Sequence, residues 1–224
     1  MEKETEWLAK EKGISEKDLK RLKNKEPIDY IIGFYEFLGC KIDLSYKPLI
    51  PRAETEYWVE QILQNLKGDC LDIFSGSGCI GIAVLKHTKA KVDLADKYFI
   101  SQIKLNLKIN NLRAKVIQSD IFSKITKKYD FILANPPYIP CSRKLAKSIS
   151  YEPKQALYAG KDGLFYIKKF LKQASCYLKS SGVIYLEFDS CQKKGITELL
   201  KKYKYEFFKD QYGKWRYLKA QKKD

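Results

Sequence analysis

The sequence predicts an α/β fold built on a mostly parallel sheet, and three observations carry that prediction. From residue 69 onward, short apolar runs alternate with helical stretches, the pattern of strands joined by crossover helices. The first of these runs leads through a glycine-rich turn into a helix. At 224 residues, with 45% hydrophobic and 13% aromatic side chains, the chain is long enough for one sizeable core and too short for a multidomain assembly.

The elements follow in order. Residues 2–24 are dense in Glu and Lys, broken at Gly13 and restarted at Ser15. The Ser15 hydroxyl and the Asp18 carboxylate form a capping box, so two short helices are predicted. Trp7 and Leu8 are expected to pack inward. Glu26-Pro27 ends the segment, and Tyr30 to Leu44 reads as a β-hairpin turning at Gly39. Glu54 to Leu66 restores helical spacing, with Trp58, Ile62 and Leu66 at intervals of four. The sheet runs are Cys70 to Phe74, Val92 to Ala95, Lys115 to Gln118, Tyr129 to Ala134 and Val183 to Phe188. Helices fall between them at about 79–87, 98–110, 163–178 and 192–203, with Gly182 placed at a turn back into a strand. Tyr205 to Leu218 closes the chain as an antiparallel hairpin around Asp210 to Gly213. The expected division is a short helical arm over 1–28, a hairpin linker over 29–50 and the main domain over 51–224.

Forty-three basic residues against 27 acidic ones give a net charge of +16, a field that favours polyanionic partners. Only five of the basic residues are arginine (Arg21, Arg52, Arg113, Arg143, Arg216), and lysine suits bidentate phosphate recognition less well. A solvated lysine coat is therefore the simpler reading of the charge. No apolar run approaches the roughly 18 residues of a membrane span, and the charged N-terminus does not resemble a signal peptide. A cytoplasmic protein with no membrane contact is expected. The six cysteines are scattered without a C-x-x-C pair and read as reduced core residues, and with His87 the only histidine, no metal site is predicted. His87 itself reads as a surface residue.

Two constellations carry chemistry. The first strand delivers Phe74-Ser75-Gly76-Ser77-Gly78 and then Gly81, a G-x-G-x-x-G turn that lets a ligand approach backbone N–H groups at a helix N-terminus. The second strand ends at Asp96, 20 residues after Gly76, where a carboxylate can accept both hydroxyls of a ribose. Asp93 is the competing acid. A nucleoside cofactor follows, either a dinucleotide or S-adenosylmethionine. Asp72, just before the loop, favours the second by suiting a cationic amino-acid moiety. The fourth strand then runs into Asn135-Pro136-Pro137-Tyr138. Two prolines stop the strand and fix the backbone, so the Asn135 side chain and the Pro136 carbonyl become rigid acceptors at the sheet edge. They would hold a planar, conjugated NH2 group, with Tyr138 walling the slot.

That tetrad resembles the N-P-P-Y motif of class I methyltransferases acting on planar amino groups. With Pro51-Arg52-Ala53-Glu54-Thr55-Glu56, Leu71 to Gly81, Ser119 to Phe122, and Tyr151-Glu152-Pro153 followed by Asp162-Gly163-Leu164, the chain is similar to the bacterial release factor glutamine methyltransferases from about Glu26 onward. The resemblance implies the class I S-adenosylmethionine-dependent methyltransferase fold, a Rossmann-like seven-stranded sheet with one antiparallel edge strand. It implies methyl transfer from S-adenosyl-L-methionine to the glutamine amide of the Gly-Gly-Gln motif in peptide chain release factors. By position, Phe74, Ser75, Gly76, Ser77 and Gly78 would cradle the cofactor's amino-acid end, Asp96 its ribose, and Asp120 and Ile121 its adenine. Asn135, Pro136, Pro137 and Tyr138 would grip the amide, with Asn135 also next to the cofactor. The loop from Tyr151 to Leu164 would close over the site. No general base is needed where alignment of amide and sulfonium drives the reaction. A monomer is expected, with the lysine surface available to ribosomal components. Members of the family carry a longer helical N-terminal domain that helps grip the release factor. The same active site would serve a glutamine on a ribosomal protein, and N6-adenine or guanine methyltransferases of DNA or RNA share the tetrad.

Overall fold

The computed structural model describes residues 2–223, and it is organised around a central strand with no exposed face. The elements are α1 (Glu2–Lys12), α2 (Glu16–Lys23), α3 (Ile28–Ile32), β1 (Phe34–Phe37), β2 (Cys40–Asp43), α4 (Ala53–Ile62), β3 (Asp69–Ile73), α5 (Cys79–His87), β4 (Lys91–Asp96), α6 (Ile100–Ile109), β5 (Lys115–Gln118), β6 (Tyr129–Ala134), α7 (Lys154–Leu157), α8 (Phe165–Ala174), β7 (Leu178–Glu187), α9 (Lys193–Leu199), β8 (Tyr203–Lys209) and β9 (Trp215–Lys222). Seven strands form one sheet in the order β5-β4-β3-β6-β7-β9-β8. The strands from β5 to β7 are parallel, and β9 runs antiparallel to both of its neighbours. Burial on both faces explains why β3 and β4 read as near-continuous apolar runs.

One core lies on the face covered by α4, α5 and the β1–β2 hairpin, with Trp58, Ile82, Val84, Leu94 and Leu133 in it. The other lies under α8 and α9, around Phe122, Ile132, Phe170, Leu186 and Leu218. A third, small cluster of Leu8, Leu22, Ile31 and Ile32 holds α1, α2 and α3 together. The Ser15–Asp18 capping box starts α2 as expected.

Several expectations need correction. The antiparallel strand is not at the edge: the crossover through α9 carries β8 to the edge, and β9 folds back into the gap beside β7. Tyr30 belongs to α3, and Gly33 ends that helix in the left-handed region, so the hairpin begins only at Phe34. Gly182 lies within β7 next to a register shift, where a Cβ would stand 2.9 Å from Leu178 and 3.0 Å from the Tyr129 carbonyl. Leu8 is buried but Trp7 is 43% exposed. Cys40, Cys70 and Cys79 are core residues, whereas Cys141, Cys176 and Cys191 are exposed.

The hairpin is locked to the main sheet through α6. Asn106 accepts from the Asp43 N–H at 2.8 Å and donates to the Ser77 carbonyl at 2.8 Å, while Gln102 donates to the Asp43 carbonyl at 2.7 Å. Both side chains are fully buried, so the glycine loop and the hairpin share one hydrogen-bonded support.

Candidate active site

The carboxyl ends of the parallel strands open into a cleft with about 870 Å³ of space, counting the solvent at its mouth. That is the position expected of a small-molecule site in an open α/β sheet. Phe74, Ser75, Gly76, Ser77, Asp96, Asp120, Ile121, Asn135 and Pro137 all line it. Gly78, Pro136 and Tyr138 do not. Gly78 caps α5 at φ +84°, and a Cβ there would press on Ile82 and Leu94.

The glycine loop is built by cross-strand bonds. The Ser75 hydroxyl donates to the Asp72 carbonyl and accepts from the Ala95 N–H, so it ties β3 to β4. Asp96 then fixes the far side. One of its oxygens accepts from the Gly76 N–H at 2.9 Å, and the other from the Tyr98 and Phe99 N–H groups at 2.7 and 3.0 Å. Asp93 points elsewhere, accepting from the Tyr129 hydroxyl at 2.9 Å. Asp120 is exposed and pairs with Lys97 at 2.8 Å. Two non-glycine residues of the cleft, Phe74 at φ +60° and Ile121 at φ +53°, are held in the left-handed region. For a β-branched residue such a conformation is rare, and strain of this kind concentrates where a backbone must meet a ligand.

Asp72 is not a ligand of the cleft. It is fully buried beneath the loop, where one oxygen accepts from the Gly81 N–H at 3.0 Å and the other has no hydrogen-bond partner among the described residues. Burial pushes its pKa up to about 7 from 3.8. The folded state thus holds the proton more tightly than the unfolded chain, so stability falls as pH rises from about 4 to about 7 and levels off above. In Asp72→Asn that dependence is removed. Urea midpoints measured from pH 4 to 8 should show the wild type losing on the order of 3–5 kcal/mol relative to the variant across that window.

The Asn135 to Tyr138 turn is gripped from behind. The Asn135 Nδ2 donates to Thr55 Oγ1 at 3.3 Å, leaving Oδ1 without a hydrogen-bond partner among the described residues. Tyr138 does not wall the cleft as expected; its hydroxyl donates to Glu187 Oε1 at 3.1 Å behind the turn. Its carbonyl accepts from Gln192 Nε2 at 2.8 Å. Gly163 lies directly on that carbonyl, where a Cβ would come within 2.3 Å, so the loop expected to close over the site is seated against the turn. Gln155 and Ala156 of the same loop line the cleft. Arg52, also in the lining, pairs at 2.5 Å with buried Glu152, which accepts from the Ile50 N–H through its other oxygen. His87 is exposed, with its ring within 2.7 Å of the Leu38 carbonyl, and is not among the residues that line the cleft.

The family model described as "Methyltransferase small domain" matches residues 53–207. The release factor glutamine methyltransferase of Streptococcus pneumoniae is 38% identical over 219 residues, which cover 91% of this chain and 77% of the relative. The enzyme of that name from Buchnera aphidicola is also 38% identical, covering 88% and 76%. The chain belongs to the release factor glutamine methyltransferase family. The fold is shared with more distant structures: a ribosomal protein L11 methylase from Lactobacillus delbrueckii has a TM-score of 0.60 at 16% identity, covering 80% of this chain and 83% of that one. A 16S rRNA methyltransferase from T. thermophilus, solved with AdoMet and guanosine, has a TM-score of 0.60 at 17% identity, covering 85% and 50%.

As a member of this methyltransferase family the chain is an enzyme, and its methyl donor is S-adenosylmethionine. The cleft fits that group. Gly76 at φ +54° opens the loop backbone, Asp96 stands at the tip of β4, and apolar Ile121 flanks the opposite wall. In this methyltransferase the residues that the motifs alone did not reveal are Thr55, Trp58 and Glu187. Thr55 Oγ1 and Trp58 Nε1 each donate to Glu187 Oε2 at 2.7 Å, and Glu187 is only 1% exposed. Burial raises the Glu187 carboxyl pKa, while its three donors and the nearby Arg216 hold it down. In the sequence, Thr55 stands within the Pro51 to Glu56 block and Trp58 within the helical spacing that follows it, while Glu187 carries no motif.

Proposed function

We propose that this chain transfers a methyl group from S-adenosylmethionine to the side-chain amide nitrogen of the glutamine in the Gly-Gly-Gln motif of a peptide chain release factor. The observation that carries the reading is the Asn135 to Tyr138 turn, buried from behind and open to the cleft through the unpartnered Asn135 Oδ1. Family membership and the names of the relatives support it.

The division of labour follows from the residues present. When bound, the cofactor supplies an electrophilic methyl group. Phe74 to Ser77 would receive its amino-acid end on loop backbone, Asp96 would accept its ribose hydroxyls, and Asp120 and Ile121 would flank its adenine. Asn135 Oδ1, which faces the cleft, accepts an N–H of the substrate amide, orienting the nitrogen and stabilising positive charge that grows on it. Such alignment can supply on the order of 7–11 kcal/mol of the barrier, which is why no base is required in the lining. The proton leaves afterward to water.

The enzyme works in the cytoplasm, where its substrate resides, as a monomer. The arm over 1–28 and the hairpin segment over 29–50 present the substrate to the domain over 51–224, and the lysine surface contacts ribosomal components.

Asp96→Ala should weaken S-adenosylmethionine binding by roughly 1–3 kcal/mol, the cost of removing hydrogen bonds to a charged acceptor. Calorimetry checks this, and an unchanged Kd would remove Asp96 from the ribose site. The reading as a whole is tested by incubating the enzyme with labelled cofactor and, in separate reactions, a release factor, ribosomal protein and rRNA. Label is expected in the release factor, and label in rRNA alone would reverse the assignment.

A further inference from the structure

Asn135 presents either an acceptor or a donor to the cleft, depending on which way its amide is turned. Turned one way, it receives an N–H from the substrate. Turned the other way, it repels an N–H and receives a carboxylate or carbonyl oxygen instead. What fixes the choice lies behind the turn. The Trp58 indole can only donate, so the Glu187 oxygen that it reaches at 2.7 Å must accept. Thr55 approaches the same oxygen at 2.7 Å and donates its single hydroxyl proton there. Thr55 Oγ1 then has only lone pairs to offer Asn135, and at 3.3 Å it takes the Nδ2 side of the amide. Oδ1 is left facing the cleft that Asn135 and Thr55 both line.

We infer that the chain Trp58 to Glu187 to Thr55 sets the amide orientation of Asn135 and thereby makes the cleft select a carboxamide over a carboxylate. Thr55 and Glu187 are positioning and specificity-determining residues, acting through Asn135. All three supporting side chains are essentially buried, at 0–2% exposure, so water does not scramble the hydrogen-bond direction. The inference rests on the glutamine-methyltransferase reading given above and adds to it the means by which glutamine is told from glutamate.

The test compares Thr55→Val, Thr55→Ser, Glu187→Leu and Glu187→Gln with the wild type. Methyl transfer to a Gly-Gly-Gln release factor is measured, together with inhibition by the same factor carrying Gly-Gly-Glu. Thr55→Val removes the acceptor for Nδ2. Glu187→Leu frees the Thr55 proton to turn toward Asn135. Each should lower kcat/KM for the glutamine substrate about tenfold and tighten inhibition by the glutamate factor about tenfold, with cofactor Kd within twofold of the wild type. Thr55→Ser keeps the hydroxyl and restores discrimination. Glu187→Gln does the same, because Trp58 still demands an oxygen on its side. Variants that bind cofactor and lose activity without tighter inhibition by the glutamate factor, or that keep wild-type discrimination, overturn the inference. A wild-type enzyme that methylates no Gly-Gly-Gln factor overturns instead the reading on which it rests.

Discussion

Asn135→Ala should lower kcat/KM for methyl transfer by about 10²–10³-fold, the loss measured elsewhere when a single preorganised polar group is taken from a developing charge. Binding of S-adenosylmethionine should persist, because the glycine loop and Asp96 are built by β3 and β4 and do not depend on the β6 turn. The side chain is half-buried and makes one hydrogen bond in the protein, so its removal should cost little stability. Calorimetry with the cofactor and steady-state kinetics with a release factor separate the two effects. Normal turnover in the variant would remove Asn135 from the chemistry and leave the prolines as a structural stop only.

The second large effect falls on stability. Trp58→Ala should destabilise the fold by about 3–5 kcal/mol, a large share of the roughly 5–15 kcal/mol that holds a domain of this kind together. Trp58 is completely buried, stacks on Tyr217 with ring centroids 5.7 Å apart, and joins α4 to the reversed strand β9. Truncation also deprives Glu187 of its indole donor in a site from which water is excluded. Thermal unfolding should show Tm lowered by roughly 6–20 °C. A change of only a degree or two would mean that this layer repacks freely and that the Glu187 network is looser than its distances indicate.

The parts of the fold that were legible in the sequence are those in which a local pattern and a tertiary requirement coincide. The apolar runs of β3, β4 and β6 are strands because both of their faces are covered, and the glycine loop and the Asn135 to Tyr138 turn are each contiguous. Asp96 was legible because a strand tip twenty residues past the loop has one place to go. The position of β9 was not, since hairpin residues pair equally well at an edge or one strand inward, and only the crossover through α9 decides. Gly182 read as a turn because its local signal is the same, whereas its actual role is to let β7 pass close to the Tyr129 carbonyl. Asp72 has the charge and the chain position to meet a cationic moiety, but the fold turns it away from the cleft. Its side chain points beneath the loop, to the Gly81 N–H. The Glu187 network was invisible for a different reason: its members lie 129 and 132 residues apart, and Glu187 looks like an ordinary acid at the end of an apolar run until the fold brings Thr55 and Trp58 onto one of its oxygens.

Substrate identity is decided by finding the methylated atom. Release factor, ribosomal protein and rRNA should be offered together with limiting enzyme and labelled S-adenosylmethionine, and the labelled product digested and sequenced by mass spectrometry. A methyl group on the side-chain nitrogen of the Gly-Gly-Gln glutamine, absent when Asn135→Ala replaces the wild type, is the expected outcome. A methyl group on a nucleobase or on a ribosomal-protein residue, with the release factor unmodified, would contradict it.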